Sequence, residues 1–166
     1  MPTLSFFQSL SIFIHIIGFG IVFGMMLVGP IIEKQFQSAT DWSSRAKLGT
    51  VSKRLAMFSP IAIIILLLSG ISNMMTFGFT MADAFSGTAW WLGVKIVLFV
   101  CLALNGLLNA RKLGEARGAI IMGAMQGKAG ADAEAALQAT YGRMNMFFRV
   151  QGFMLTVVVI MAIFRP

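Results

Sequence analysis

LSFFQSLSIFIHIIGFGIVFGMMLVGPII, running from Leu4 to Ile32, decides the fold of this chain. About 29 residues pass without a formal charge, and roughly 20 apolar residues suffice to cross a hydrocarbon core. The stretch reads as a membrane-spanning helix with a turn or two to spare. At its centre lies His15, the single histidine of the protein. An ionisable group at that depth is costly, so it is expected to face protein or a cofactor rather than lipid. Helical spacing lines it up with Gln8, Ser11, Gly18 and Val22, a polar-to-small stripe on an apolar cylinder. No basic residue precedes Glu33, and the apolar run is too long for a cleaved signal, so the span is expected to be retained.

The remaining composition agrees. Of 166 residues, 58% are hydrophobic and only 11% charged, with a mean hydropathy of +0.85. A soluble domain of this size does not need that much apolar surface. Four apolar segments stand out, at about 4–32, 55–77, 89–110 and 146–164, each near spanning length. The expected fold is all-α: a single polytopic four-helix transmembrane bundle covering residues 1–166, with no second domain. Thr40-Asp41 is a suitable N-cap for a helix leading into the second span. Pro60 is expected to kink that span. Asp132 and Glu134 are placed to start an extension of the fourth.

The linkers differ sharply in charge. Linker one carries Lys34, Arg45, Lys47, Lys53 and Arg54, and linker three carries Arg111, Lys112, Arg117, Lys128 and Arg143. Linker two, Gly78 to Thr88, has no Lys or Arg. The positive-inside rule then puts linkers one and three in the cytoplasm and both termini outside. It also places Trp90 and Trp91 in the outer aromatic belt, with Trp42 and Tyr141 near the inner one. The net charge of +7 does not point to nucleic acid, because the cations form no basic stripe with interleaved aromatics. The lone Cys101 excludes an intrachain disulfide and reads as a buried small hydrophobe.

Each later span has its own polar stripe: Ser59, Ser69, Asn73 and Thr76 in span two; Trp91, Lys95, Asn105 and Asn109 in span three; Asn145, Arg149, Gly152 and Thr156 in span four. In a bundle such stripes are expected to face inward, where they hydrogen-bond between helices. Gly20-xxx-Gly24, on another face of span one, permits close approach of a second copy. Lys95 is the second unusual residue. At 1.5 Å per residue it lies about 9 Å below the outer boundary and His15 about 16 Å, so one pocket can hold both. Two uses suit an imidazole and an amine there: metal or haem ligation through His15, or proton handling and anion binding with Lys95 as the positive pole. Two plainer readings stand beside these: Lys95 snorkels past Trp91 to the headgroups, and His15 only hydrogen-bonds across the bundle. One histidine excludes bis-histidine haem within one chain. Thirteen methionines, Met74, Met75 and Met81 among them, invite a Cu(I) reading, although methionine more often fills apolar cores.

The mid-span histidine, Lys53-Arg54-Leu55 followed by Ser59-Pro60, Gly70, Trp91-xxx-Lys95 and the terminal Arg165-Pro166 together resemble the HemJ family. These are four-helix bacterial membrane proteins associated with protoporphyrinogen IX oxidation, related to the CopD-like copper-resistance domains. The resemblance implies a haem-b-binding oxidoreductase of the bacterial inner membrane acting on a porphyrin-type molecule. It makes His15 the haem ligand and Lys95 an essential residue that orients a propionate or ligates further, with Asn73 and Trp91 lining the pocket. The family's tryptophan and arginine after the histidine are absent here, where Phe19 and Phe23 stand. The alternative is a non-enzymatic membrane subunit or a CopD-like copper-handling protein using His15 with Met74, Met75 and Met81.

Overall fold

A computed structural model describes residues 5–87, 89–128 and 132–163. Leu4, Thr88, Phe164 and the Arg165-Pro166 terminus lie outside the described residues. The elements are α1 (Phe6–Ser38), α2 (Trp42–Ala56), α3 (Phe58–Thr76), α4 (Met81–Ser86), α5 (Trp90–Leu104), a π-helical turn (Asn105–Ala110), α6 (Arg111–Met125) and α7 (Ala133–Ile163). Among the described residues there is no strand. Four helical stretches are long and apolar enough to cross a membrane: α1, Trp42–Thr76, Trp90–Met125 and α7. The protein is an all-α, multi-pass membrane bundle. Large apolar side chains such as Phe13, Leu27, Ile64, Leu68, Val97 and Phe153 are exposed on it, a surface that only lipid covers without cost.

The helices run well past the apolar segments because the charged linkers are themselves helical. α2 starts at Asp41, whose Oδ1 accepts from the Ser44 backbone N–H at 2.7 Å. That bond holds the Asp41 carboxyl below its ordinary range. A lowered folded value means the cap acts fully above the unfolded value and fades as pH falls through the folded one. The Ser44 amide is therefore expected to be protected from exchange, relative to its intrinsic rate at each pH, at neutral pH and to lose that protection in acid, whereas Asp41→Ala lacks it throughout. The expected kink at Pro60 takes the form of a break: α2 ends at Ala56, Met57 caps it, and Pro60 falls in the first turn of α3. A proline there displaces no intrahelical N–H, so the chain stops one helix and starts another. Span three continues into α6 through the π turn, where Asn109 Nδ2 donates to Asn105 Oδ1 at 2.6 Å. Gln151 Nε2 donates to the Leu102 carbonyl at 3.2 Å just before that turn. α7 begins where Asp132 and Glu134 suggested, with Ala136 N–H donating to the Asp132 carbonyl at 2.8 Å.

In the bundle α1 packs on α3 and on α7, and α7 packs on α5; α3 and α5 approach one another only marginally. The spans form an open arc, α3–α1–α7–α5. It is closed at the basic end, where α2 meets α6 and α6 meets α7. The best-buried core also sits there, with Phe36, Ile121 and Leu137 surrounded by Trp42, Ala46, Leu48, Ile120 and Tyr141. Trp42 and Tyr141 thus pack in this core rather than serving only as a lipid belt. Two readings of burial are corrected. Cys101 is exposed, on a face that meets lipid, where a small hydrophobe is as well placed as in a core. In α7 Asn145, Arg149 and Thr156 are exposed, while Phe147, Gln151 and Leu155 are buried. Thr156 instead bonds the Gly152 carbonyl of its own helix at 2.8 Å, a local partner that frees it from facing inward.

Candidate functional site

The polar residues of α1 and α3 meet as two rungs. His15 Nδ1 lies 2.9 Å from Ser69 Oγ. One turn toward the non-basic end, Ser11 Oγ donates to Asn73 Oδ1 at 2.8 Å. On the other side of His15, α1 rests at Gly18 against Ile65 and Leu66. The fourth member of the expected stripe is diverted. Gln8 Oε1 accepts from the Ser5 N–H at 2.8 Å, closing a capping box at the start of α1.

The tautomer of His15 follows from what Ser69 has already committed. Ser69 Oγ donates its single proton to the Ile65 carbonyl at 2.5 Å, with the Leu66 carbonyl beside it at 3.4 Å. It has no proton left to give the ring, so it accepts from Nδ1–H. The lone pair is then on Nε2. A histidine with Nδ1–H fixed by a protein oxygen is arranged as ligating histidines are, with the ring orientation set from behind.

The other two expected site residues stand on α5. Lys95 Nζ lies 4.6 Å from the centroid of the Trp91 ring, a cation–π contact one turn apart. Trp91 in turn meets Phe79 edge-on at 5.7 Å. The aromatic shelf holds the amine against its own helix, α5. α4 holds this shelf from outside. Thr80 and Asp83 form its capping box, and the backbone of Ala84 lies against Gly93. Of the expected site residues, His15 and Asn73 share the α1–α3 face, and Trp91 and Lys95 stack on α5.

Sequence reasoning missed the partner role of Ser69, although it lies one helical turn from Asn73 and matches the 11-to-15 spacing on α1. It also missed a buried cluster at the basic end, reading Arg117 only as a topological charge. Arg117 donates to both carboxylate oxygens of Glu33, at 2.6 and 2.8 Å, and its Nε donates to Thr140 Oγ1 at 2.7 Å. The guanidinium also lies over Phe36 and Tyr141, at 5.0 and 5.4 Å. Nearby, Arg45 binds Glu134 through two bonds of 2.5 and 2.9 Å and stacks on Trp42. The signal for the first pair was Glu33 itself, an acid at the end of the apolar run whose only charged neighbour on α1 is Lys34.

No family model, curated protein or solved structure matches the chain. Among the described residues, no three His, Cys, Asp or Glu side chains gather as a metal cage. A haem asks less, since one axial imidazole can hold it, and the Ser69-fixed ring of His15 fits that role.

Proposed function

We propose that the arc between α3 and α5 is a haem-b site in a membrane oxidoreductase that resembles the HemJ proteins. The observation that carries this reading is the Ile65–Ser69–His15 chain of hydrogen bonds, which fixes the imidazole with its lone pair on Nε2. His15 is the iron ligand in this reading. Lys95 holds a propionate, and Asn73 and Trp91 line the walls. A bound haem would supply a one-electron redox centre. The marginal approach of α3 to α5 offers a flat porphyrin-type substrate a sideways route from the bilayer. The resemblance implies a bacterial inner-membrane location, and the basic linkers favour both termini outside. Gly20 and Gly24 face open space, which leaves a surface for a second copy. The copper alternative gathers less support, because Met75 and Met81 are 70% and 48% exposed.

A visible spectrum of the protein purified in detergent tests the reading. A Soret band is expected, and His15→Ala is expected to abolish it. Ser69→Ala should keep the fold yet weaken haem retention by about 10–100-fold, the usual cost of losing an outer-shell partner. A colourless protein that retains copper turns the assignment to the alternative. A colourless, metal-free protein leaves His15 as helix glue.

A further inference from the structure

At the basic end, α1 and α7 enclose a second feature that the haem reading does not use. A cleft of about 410 Å³ is lined by Pro30, Lys34, Gln37, Asn145, Phe148 and Arg149. It exists because the two helices close at Gly29, whose missing Cβ makes room for the Phe148 ring. Gln37 Nε2 reaches across to Asn145 Oδ1 at 3.5 Å, which leaves the Asn145 amide protons for another acceptor. Lys34 and Arg149 stand exposed on opposite walls, and neither forms an ion pair among the described residues. The acid nearest this cleft is Glu33, which accepts from Gln37 at 2.7 Å and whose charge is matched by Arg117. The cleft therefore presents two cations and an amide donor with no anion of its own to satisfy them.

Its depth selects the occupant. Two turns before Lys34 on α1, Leu27, and one turn after Arg149 on α7, Phe153, are 56% and 71% exposed; helical spacing puts each on the face of its helix that carries the cation, nearer the bilayer centre. A phosphate at the cleft with an acyl chain along those faces matches both parts. We infer that the α1–α7 cleft is a headgroup site for an anionic phospholipid of the leaflet at the basic end. Lys34 and Arg149 contact the phosphate, Asn145 donates to it, and Leu27 and Phe153 receive a chain. The site is independent of His15 and of any haem.

The test uses the full chain in phosphatidylcholine nanodiscs with or without phosphatidylglycerol, followed by native mass spectrometry of the retained lipid. Phosphatidylglycerol is expected to be retained in preference to phosphatidylcholine. Lys34→Gln and Arg149→Gln should each cut that preference about fivefold, since a juxtamembrane cation contributes on the order of 1 kcal/mol. Both side chains are exposed and outside the ion pairs, so melting in phosphatidylcholine should not change. Asn145→Asp, which sets a carboxylate in the cleft, should remove the preference with the fold intact. Lys53→Gln, elsewhere on the basic end, should leave it alone. Equal retention of the two lipids, or a preference that survives the double change at Lys34 and Arg149, overturns the proposal. So does inorganic phosphate displacing phosphatidylglycerol at matched concentration, because the site would then take a free anion.

Discussion

Arg117→Met is expected to destabilise the bundle by about 3–5 kcal/mol, the cost of leaving one member of a buried ion pair alone. Arg117 and Glu33 are 7% and 5% exposed, so water cannot replace the lost partner. Glu33 would keep only the Gln37 amide, and Thr140 would lose its guanidinium donor. Lysine at 117 should not rescue, because one ammonium cannot reproduce a fork that serves both carboxylate oxygens and the threonine. The double change Glu33→Leu with Arg117→Met should recover much of the loss, since an apolar pair carries no desolvation penalty. A double-mutant cycle read by thermal melting in detergent checks this. The Arg45–Glu134 pair makes the contrast: the Glu134 side chain is 44% exposed, so solvent screens it and its removal should cost about 1 kcal/mol or less. A single-mutant cost for Arg117 no larger than that would show that the basic-end cluster is not what closes the arc.

Gly93→Ala is expected to have the second-largest effect, a loss of about 1–3 kcal/mol from overpacking. The new methyl would meet the carbonyl oxygen of Ala84. That atom is backbone and cannot swing aside, so α4 must lift from α5. Because Trp91 and Lys95 stand next to Gly93 on α5, the displacement should also alter tryptophan fluorescence. Gly114→Ala in α6 is the control: nothing lies within 4 Å of its Cβ position. There the gain in helix propensity should stabilise by roughly 0.5–1 kcal/mol. Opposite signs for the two changes would separate close packing from propensity. A neutral Gly93→Ala would mean that α4 is not seated on α5.

The polar face between α1 and α3 was legible in part. Asn73 and Ser69 were visible as one face of span two, and Ser11 and His15 as one face of span one, because both pairs follow helical spacing. That Ser69 rather than another residue fixes His15 was not legible. It depends on the register between helices whose paired residues lie 54 positions apart. Span four was misread for a related reason. Asn145, Arg149 and Thr156 form a regular stripe, yet it is Gln151 that is buried within the apolar segment, where it reaches the Leu102 carbonyl. In a membrane, an apolar side chain facing lipid and one facing protein satisfy the same requirement. Polarity then marks the inward side only when no local or interfacial partner competes.

Sequence alone determined the helical class, the four crossings and the concentration of positive charge at one end. Each is a local property: a helix satisfies its own backbone in lipid, and a run of apolar residues needs no knowledge of its neighbours to enter it. Tertiary structure alone decided which charges are buried and matched, with Glu33 and Arg117 brought together across 84 residues. It also decided that the arc is open between α3 and α5 and closed where α2 meets α6. Those outcomes depend on how helix faces pair in space, which hydropathy along the chain does not encode.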